Sequence, residues 1–297
     1  MINYAFALVV IVSLSLPYKI ISQCSDAGVC TLGKPHTKHS KQNTSSITFG
    51  YVFGSSGKDN DINSALNDLT FSSLKLEADL DILKNTRLLM SVPYTFVNGP
   101  LGEVNGLGDL TIALTRSFVI EKSHTLSFTL GGKPRTGRVN SDDSLPQRYM
   151  PSLGTNDLLV GASYSYTNYN VAVAYQKPFG RSPNYITRLK RGDDLLLRAG
   201  YNQQFGKVNA KAEILTILRI QPSSVLADTI GGENFVEVDG SNEPQVNLLA
   251  AVNYLLSSNI AISGEAALPF LQRDYNYDGL KRSFSFSVSI AYLFNLK

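Results

Sequence analysis

The sequence contains no Trp, only two Cys and three His, and its 27 basic and 24 acidic side chains almost cancel. Two cysteines are too few for a disulfide-rich scaffold. A net charge of +3 gives no basic surface of the kind that nucleic-acid binding requires, so nucleic acid is not an expected partner. Beyond residue 22 no run approaches the roughly 18 to 20 apolar residues of a membrane-spanning helix.

The overall composition narrows the class further. With 43% apolar and 17% charged residues among 297, the chain is too apolar to be disordered and too polar to be a helical membrane protein. One large domain or two small ones remain.

The first 45 residues differ from the rest of the chain. Residues 1–22 are mostly apolar up to Pro17, and Ser22 provides a small residue near a cleavage point, which is typical of a secretory signal peptide. An uncleaved anchor is the alternative. Residues 23–45 are predicted to be a periplasmic segment in which Cys24 and Cys30 form a disulfide, with lipid modification of Cys24 as the alternative.

From Ile47 onward, apolar side chains recur at every second residue, which is the period of a strand with one apolar face. The clearest example runs from Phe284 to Phe294, where serines fill most of the intervening positions. Each segment is close to the roughly 9 to 11 residues that a tilted strand needs to cross a bilayer. Twelve such segments are present: 46–54, 70–82, 87–97, 109–119, 124–132, 157–167, 170–178, 193–203, 207–219, 245–255, 260–270 and 282–294.

The connections between these segments alternate strictly between long, with 11 to 25 residues, and short, with 2 to 4. Transmembrane β-barrels combine long extracellular loops with short periplasmic turns. The sequence therefore predicts an all-β fold over 46–297: a transmembrane antiparallel up-and-down β-barrel of 12 strands, with both termini in the periplasm. Because hydrocarbon offers no partner to an open sheet edge, the first strand is expected to pair with the last.

Tyr and Phe concentrate at the strand ends, where barrels carry aromatic girdles. The girdle near the short turns is predicted to contain Phe118, Tyr164, Tyr166, Tyr201, Tyr254, Tyr292 and Phe294, and the girdle near the long loops Tyr51, Phe53, Tyr94, Phe96, Tyr175 and Phe270.

The side chains opposite the apolar face are predicted to line the lumen. Twelve strands predict a narrower bore than that of a porin with 16 to 18 strands. Either a narrow polar pathway or an ion-paired plug fits this pattern, and the pathway is favoured. Five basic and six acidic residues form the set: Lys75, Glu77, Asp79, Asp81, Arg87, Asp194, Arg198, Lys211, Glu213, Arg219 and Glu265.

The long loops differ in charge. The acidic residues of segment 220–244 could pair with the basic loops and cover the mouth; alternatively, the basic loops bind lipopolysaccharide phosphates or steer anionic solutes. Residues 274–279, DYNYDG, resemble half of a calcium loop but are predicted to form a tight polar loop. The predicted basic patch contains Lys133, Arg135, Arg138, Arg181, Arg188, Lys190 and Arg191.

The chain resembles a Gram-negative outer-membrane β-barrel protein, because its final strand, SFSFSVSIAYLF, is similar to the C-terminal recognition signal of such proteins. SVPYTF at 91–96 and GLGDLTIAL at 106–114 resemble the transporter-like family named for the meta-pathway of phenol degradation. CSDAGVCTLG at 24–33 is similar to the mature start of Bacteroidota barrel proteins. These resemblances imply location in the cell outer membrane, contact with its lipid and lipopolysaccharide, and recognition of the last strand by the barrel-assembly machinery.

Catalysis is not expected, since a nucleophilic Ser needs a neighbouring base and the three histidines lie before the barrel or at a short turn. No cofactor and no metal ion are predicted. The sequence favours a narrow passive channel for small solutes, with hydrophobic and anionic molecules both left open. A structural or surface-binding barrel with a closed lumen is the alternative, and an outer-membrane hydrolase is the third.

Overall fold

A computed structural model describes residues 44–57, 68–121, 123–227 and 234–296. The predicted signal peptide and the Cys24–Cys30 disulfide lie outside these residues. The strands, in chain order, are β1 (Ser45–Ser55), β2 (Thr70–Leu83), β3 (Thr86–Gly99), β4 (Gly102–Leu107), β5 (Thr111–Glu121), β6 (His124–Lys133), β7 (Asn156–Tyr166), β8 (Tyr169–Phe179), β9 (Asp194–Phe205), β10 (Val208–Arg219), β11 (Ser224–Ala227), β12 (Asn234–Glu237), β13 (Gln245–Leu255), β14 (Ile260–Leu271) and β15 (Phe284–Phe294).

The strands close into an antiparallel barrel. β1 pairs with β15, from Ser45 opposite Phe294 to Ser55 opposite Phe284, and it also pairs with β2. The pairing of β2 with β3 completes the ring, so the predicted contact between first and last strands is confirmed. Closure leaves the hydrogen-bonding groups of every barrel strand with a neighbour, as a hydrocarbon environment demands.

Twelve strand positions form the wall, because β4 and β5 occupy one position in succession. β4 pairs with β3 over Tyr94–Gly99, and β5 pairs with β3 over Thr86–Ser91. The sequence predicted one strand over 109–119, whereas the chain leaves the ladder between β4 and β5. Pro93 faces this break and has no N–H to donate, and its carbonyl accepts a hydrogen bond from Gly108 N at 2.9 Å.

The two-residue period sorts side chains between the inside and the outside of the barrel. In β10, Glu213 and Leu215 are 5% and 1% exposed, whereas the intervening Ile214 is 49% exposed. The same alternation gives the whole barrel an apolar outer surface, including Phe49, Leu130 and Val171. An apolar exterior of this kind suits contact with lipid.

Aromatic side chains are exposed at both ends of the wall. Near the short turns, Tyr292 stacks on Phe294, and Tyr169 and Tyr201 meet edge to face with ring centroids 5.0 Å apart. Near the long loops, Phe270 is 72% exposed. Among the described residues, no helix is long and apolar enough to cross a membrane.

Candidate functional site: the barrel interior and its mouth

The barrel interior has two ends, one beside the short turns and one beside the long loops. The alternation of each strand brings every second side chain inward, so one strand contributes residues to successive levels of the interior. On β10, Arg219, Leu215 and Lys211 lie at progressively greater depth from the long-loop end.

The inward residues of β2 and β3 form close ion pairs, one near the short turn at Arg87 and one midway along β2 at Lys75. Arg87 binds Asp79 with two nitrogens, at 2.8 Å from Nε and 2.7 Å from Nη2. Lys75 Nζ lies 2.8 Å from Glu77 Oε1. These four side chains belong to the predicted lumen set, and the geometry joins them in neighbouring pairs along the wall.

The middle of the interior holds a second group on β9 and β10, where Glu213 is shared by two cations. Lys211 Nζ lies 2.7 Å from Glu213 Oε2, and Arg198 Nη1 lies 3.6 Å from the same oxygen. Asn170 of β8 donates to Glu213 Oε1 at 3.2 Å. Because Arg198 and Glu213 are 6% and 5% exposed, this charged group has little contact with solvent.

An apolar layer lies between this group and the long-loop end. The sequence predicted a polar interior, but β9 and β10 carry Leu and Ile on their inward faces at this level. Leu159 is 0% and Leu215 1% exposed. A water-filled passage would expose these side chains, so the interior is closed here. The layer consists of Ala113, Leu159, Ala174, Leu196, Leu215, Ile217, Leu249 and Ala267, with Leu89 packed against it.

Above the apolar layer, buried arginines and aspartates form a network. Arg219 Nε and Nη2 hold the two oxygens of Asp194, at 2.9 and 3.2 Å, and Nη2 also donates to Asp278 at 2.8 Å. Arg191 Nη2 binds Asp157 at 2.7 Å. Arg273 lies 3.5 Å from Asp194 and 3.9 Å from Asp278.

Electrostatics keep the loop residues of this network charged. Burial would raise the pKa of Asp278, but Arg219 and then Arg273 outweigh it and lower the pKa to about 2. Burial and the neighbouring Arg219 lower the pKa of Arg273 to about 10, which still leaves the guanidinium protonated near neutral pH. Asp278 belongs to the polar loop 274–279, and its carboxylate binds Arg219 there while Asn276 accepts from Lys281 N at 2.9 Å.

Loops fold over the mouth above the network. We call residues 134–155 and 180–193 the cap. Asn184 Nδ2 donates to the carbonyls of Val139 and Leu145, both at 3.0 Å, and Gln147 N donates to Thr187 Oγ1 at 3.0 Å. The guanidinium of Arg181 lies 3.6 Å from the ring centroid of Phe235. Cap segments therefore hold one another through amide hydrogen bonds, and Arg181 ties them to segment 220–244.

Asp109 fastens the cap to the wall, and sequence analysis did not identify it as a site residue. It lies in the break between β4 and β5 and is 1% exposed. Its carboxylate accepts hydrogen bonds from Thr136 N, Gly137 N, Ser152 Oγ and Leu153 N, at 3.1, 3.1, 2.6 and 3.0 Å. The sequence GLGD at 106–109 could have indicated this position, because Gly and Asp are common where a chain turns out of a strand.

The predicted basic patch is divided by the structure. Arg135, Arg138 and Lys190 are exposed, and Arg181 and Arg188 are half-buried. Lys133 and Arg191 do not belong to an exposed patch. Lys133 ends β6 at 3% exposure with Nζ 4.0 Å from Asp109, and Arg191 is 4% exposed within the interior network.

Two members of the predicted lumen set stand apart. Asp81 is opposite Arg87 in the ladder, but Arg87 turns to Asp79. Glu265 of β14 is half-buried below the apolar layer and opposite Ala251. Asp157, Arg273 and Asp278 were not predicted as interior residues, because Arg273 and Asp278 come from a loop and Asp157 lies at the edge of a strand, as the second residue of β7.

Comparison with protein-family models and with curated protein sequences finds no match. Among solved structures, an outer membrane channel from Pseudomonas putida F1 has a TM-score of 0.58 at 14% sequence identity, over 88% of this chain and 99% of that chain. The NanC and KdgM porins have TM-scores of 0.45 and 0.43 at 11% and 10% identity, over 85% and 84% of this chain and 100% and 99% of theirs.

The fold and the comparison agree on the class of the molecule. It is an all-β protein with a closed antiparallel barrel of 12 strand positions, the architecture of the Pseudomonas channel. At 14% identity the likeness establishes the fold alone. The resemblance to the family named for phenol degradation and the Bacteroidota origin stay predictions.

Proposed function

We propose that this chain is an outer-membrane protein that acts as a passive channel for small solutes, which cross through the barrel interior. The observation that carries the proposal is the opposite character of the two barrel faces. Outside, Ile214 and its equivalents expose apolar surface suited to lipid, and inside, Arg198, Lys211 and Glu213 form a charged group. Charged side chains on the lumen face of a membrane barrel can tune the selectivity of a solute pathway.

Conduction through this interior requires movement, because the apolar layer and the cap close the described state. Hydrophobic constrictions gate channels by excluding water, and they conduct when they widen and become wet. We assign this gating role to the apolar layer. The exterior is proposed to contact outer-membrane lipid and lipopolysaccharide, and the exposed aromatic end of β15 to be recognised by the barrel-assembly machinery.

A barrel with a permanently closed lumen is the second candidate, and the nearly complete burial of Leu159 and Leu215 favours it. In that case the loops would carry the function through surface binding. The channel candidate predicts that ions flow through the barrel, and the closed-lumen candidate predicts that they do not.

Planar-bilayer recording of the purified full chain separates them. The channel proposal predicts discrete current steps, with long closed periods because the apolar layer must open. A protein that inserts in oriented form, shown by protease cleavage in 133–156, and never produces a step would overturn the channel proposal and leave the closed barrel.

A further inference from the structure

The interior below the apolar layer differs between its two sides. On β8, β9 and β10 the inward polar side chains include Asn170, Arg198 and Asn209, which are buried. On β13, β14 and β15 the inward side chains below the layer are mostly small and half-buried, so water reaches them from inside the barrel. We call this half-buried set the vestibule: Ala251, Asn253, Ser263, Glu265, Ser287 and Ser289.

The vestibule ends at the apolar layer. On β14 the next inward residue after Glu265, toward the long loops, is Ala267, a member of the layer that is 0% exposed. Its ladder partner on β13, Leu249, is 4% exposed. A solute that enters from the short-turn end therefore meets Glu265 at the last polar position of β14 before the layer.

Glu265 differs from most of the charged residues around it because it is not paired. Within the described part of the chain, the carboxylates of Asp81 and Glu265 form no ion pair and no hydrogen bond. Asp81 lies beside a short turn, whereas Glu265 lies at the inner end of the vestibule. The basic residues of the predicted lumen set below the layer are all bound to other carboxylates, Lys75 to Glu77, Arg87 to Asp79, and Lys211 and Arg198 to Glu213.

Lys211, the basic residue on the same level of the wall, does not neutralise Glu265. Lys211, Ala251 and Glu265 are successive ladder partners across β10, β13 and β14, which places the backbones of Lys211 and Glu265 roughly 10 Å apart. Lys211 Nζ is turned to Glu213, at 2.7 Å. Between them, Ala251 has only a methyl group and is half-buried, so the space in front of Glu265 stays open to water.

A carboxylate in such a position acts on the solutes that approach it. An uncompensated charge that faces a narrow space between walls of low dielectric constant raises the local concentration of ions of opposite sign and lowers that of ions of like sign. The neighbouring Ser263 and Ser287 add hydroxyl oxygens that can accept hydrogen bonds from an ammonium group. The inner end of the vestibule therefore suits cations.

We propose that Glu265 determines the charge preference of this channel and selects monovalent cations and small solutes that carry an ammonium group. The inference rests on the proposed function, since a preference among permeating solutes requires a channel. It narrows that function from small solutes in general to cationic ones, and it disfavours the anionic solutes that the sequence left open.

Reversal potentials in a potassium chloride gradient, recorded on the purified full chain in planar bilayers, test the proposal. The wild type should pass potassium in preference to chloride. Glu265→Gln should reduce the ratio of the two permeabilities roughly fivefold, the effect of one unit charge at about 4 Å in water. Glu103→Gln, at an exposed residue of β4, should keep the wild-type ratio. A wild type that prefers chloride, or a Glu265→Gln variant with the wild-type ratio, would overturn the proposal.

Thiol modification gives a second measurement that does not require conduction. Ser287→Cys places a thiol opposite Glu265 in the ladder of β14 and β15, in a chain whose Cys24 and Cys30 are replaced by Ser. A methanethiosulfonate with a trimethylammonium group should modify this thiol faster than one with a sulfonate group, and adding Glu265→Gln should reduce the ratio of the two rates roughly fivefold. Val288→Cys, on the outward face, should show no dependence on Glu265. A thiol at position 287 that neither reagent reaches, or a ratio that Glu265→Gln leaves unchanged, would contradict the assignment.

The outcomes for Glu265 and for the channel are independent. Current steps whose charge preference does not change in Glu265→Gln would reject the role of Glu265 and keep the channel. Charge-dependent modification in a protein that never conducts would keep a vestibule that attracts cations through Glu265 and reject the channel.

Discussion

Asp109 is a single charged residue of the barrel wall that holds the cap in place over the mouth. The carboxylate accepts four hydrogen bonds from the cap, three of them at Oδ1 and one, from Leu153 N, at Oδ2. Charge-assisted bonds to a buried carboxylate are stronger than those between neutral groups. The residue therefore couples the break between β4 and β5 to the position of 134–155.

We predict that Asp109→Asn loosens the cap without unfolding the barrel. The amide nitrogen cannot accept from Leu153 N, which costs about 2 kcal/mol. Limited proteolysis at Arg135, Arg138 and Arg148 should then be faster by on the order of tenfold. Glu103→Gln, at an exposed residue of β4, is the control and should match the wild type. Equal proteolysis rates for Asp109→Asn and Glu103→Gln would remove Asp109 from this role.

The ionisation of Asp278 makes the stability of the folded protein depend on pH in the acid range. Its pKa is lowered to about 2 by Arg219 and Arg273, so it stabilises the folded state above its ordinary pKa, and the contribution disappears as pH falls through about 2. The shift corresponds to about 2 kcal/mol.

The difference in thermal stability between the wild type and Asp278→Asn tests this pKa. It should stay constant between about pH 7 and pH 5 and shrink between about pH 4 and pH 2. Heat-induced loss of the circular dichroism of the β-sheet is the measurement. A difference that already vanishes near pH 6 would show that the carboxyl is not ionised as the geometry requires.

At the scale of strands, the alternation in the sequence predicted the wall closely. β10 was expected over 207–219 and occupies Val208–Arg219, and β8 was expected over 170–178 and occupies Tyr169–Phe179. The two-residue period and turn lengths carry this information because each strand has one face in an apolar environment. The break between β4 and β5 was not predictable in this way, since it depends on Asp109 binding a distant loop.

The charged interior was partly predictable, and the apolar layer was missed. Arg198 and Glu213 alternate with outward apolar residues, so their inward direction followed from the pattern. The layer had a signal in Leu195–Leu196–Leu197, because consecutive apolar residues indicate a strand that is apolar on both faces. Arg273 and Asp278 come from a loop, where no period shows which way a side chain points.

Substitutions at two neighbouring glycines of β6 test which residues of this strand face the barrel interior and which face outward. A Cβ on Gly131 would lie 2.7 Å from the carbonyl oxygen of Ile112 and 2.8 Å from Cβ of Ala113, a member of the apolar layer. On Gly132 it would meet only Asp157 O at 3.7 Å. We predict that Gly131→Ala destabilises the barrel by about 1 to 3 kcal/mol, as overpacking does, and that Gly132→Ala is tolerated.

Urea unfolding in detergent micelles, followed by tyrosine fluorescence, measures both glycine variants. The reverse order of stability would mean that β6 has the opposite register.

At the scale of the whole molecule, the apolar exterior predicts a dependence on depth in the membrane. Leu130 is 60% exposed, and Phe205 is 53% exposed beside a short turn. Arg at the midplane of a transmembrane barrel costs about 2 to 4 kcal/mol, and near the interface about 0 to 1. Leu130→Arg should therefore reduce the folding stability in lipid vesicles far more than Phe205→Arg. Equal losses would argue against a bilayer around this barrel.

The molecule as a whole is a barrel with an apolar exterior and a charged interior, and its interior is closed by the apolar layer and covered by the cap. Leu215 lies at the centre of that claim because it is 1% exposed between Ile217 and Glu213 on the inward face of β10. Leu197, 44% exposed, is its outward counterpart on β9.

Single-channel recording of Leu215→Ser against Leu197→Ser tests the claim most directly. A hydroxyl in the apolar layer should favour its wetting, so Leu215→Ser is predicted to raise the open probability roughly tenfold, while Leu197→Ser conducts like the wild type. If Leu215→Ser, folded and inserted, showed the same currents as Leu197→Ser, the apolar layer would not be the gate and the central claim would be contradicted.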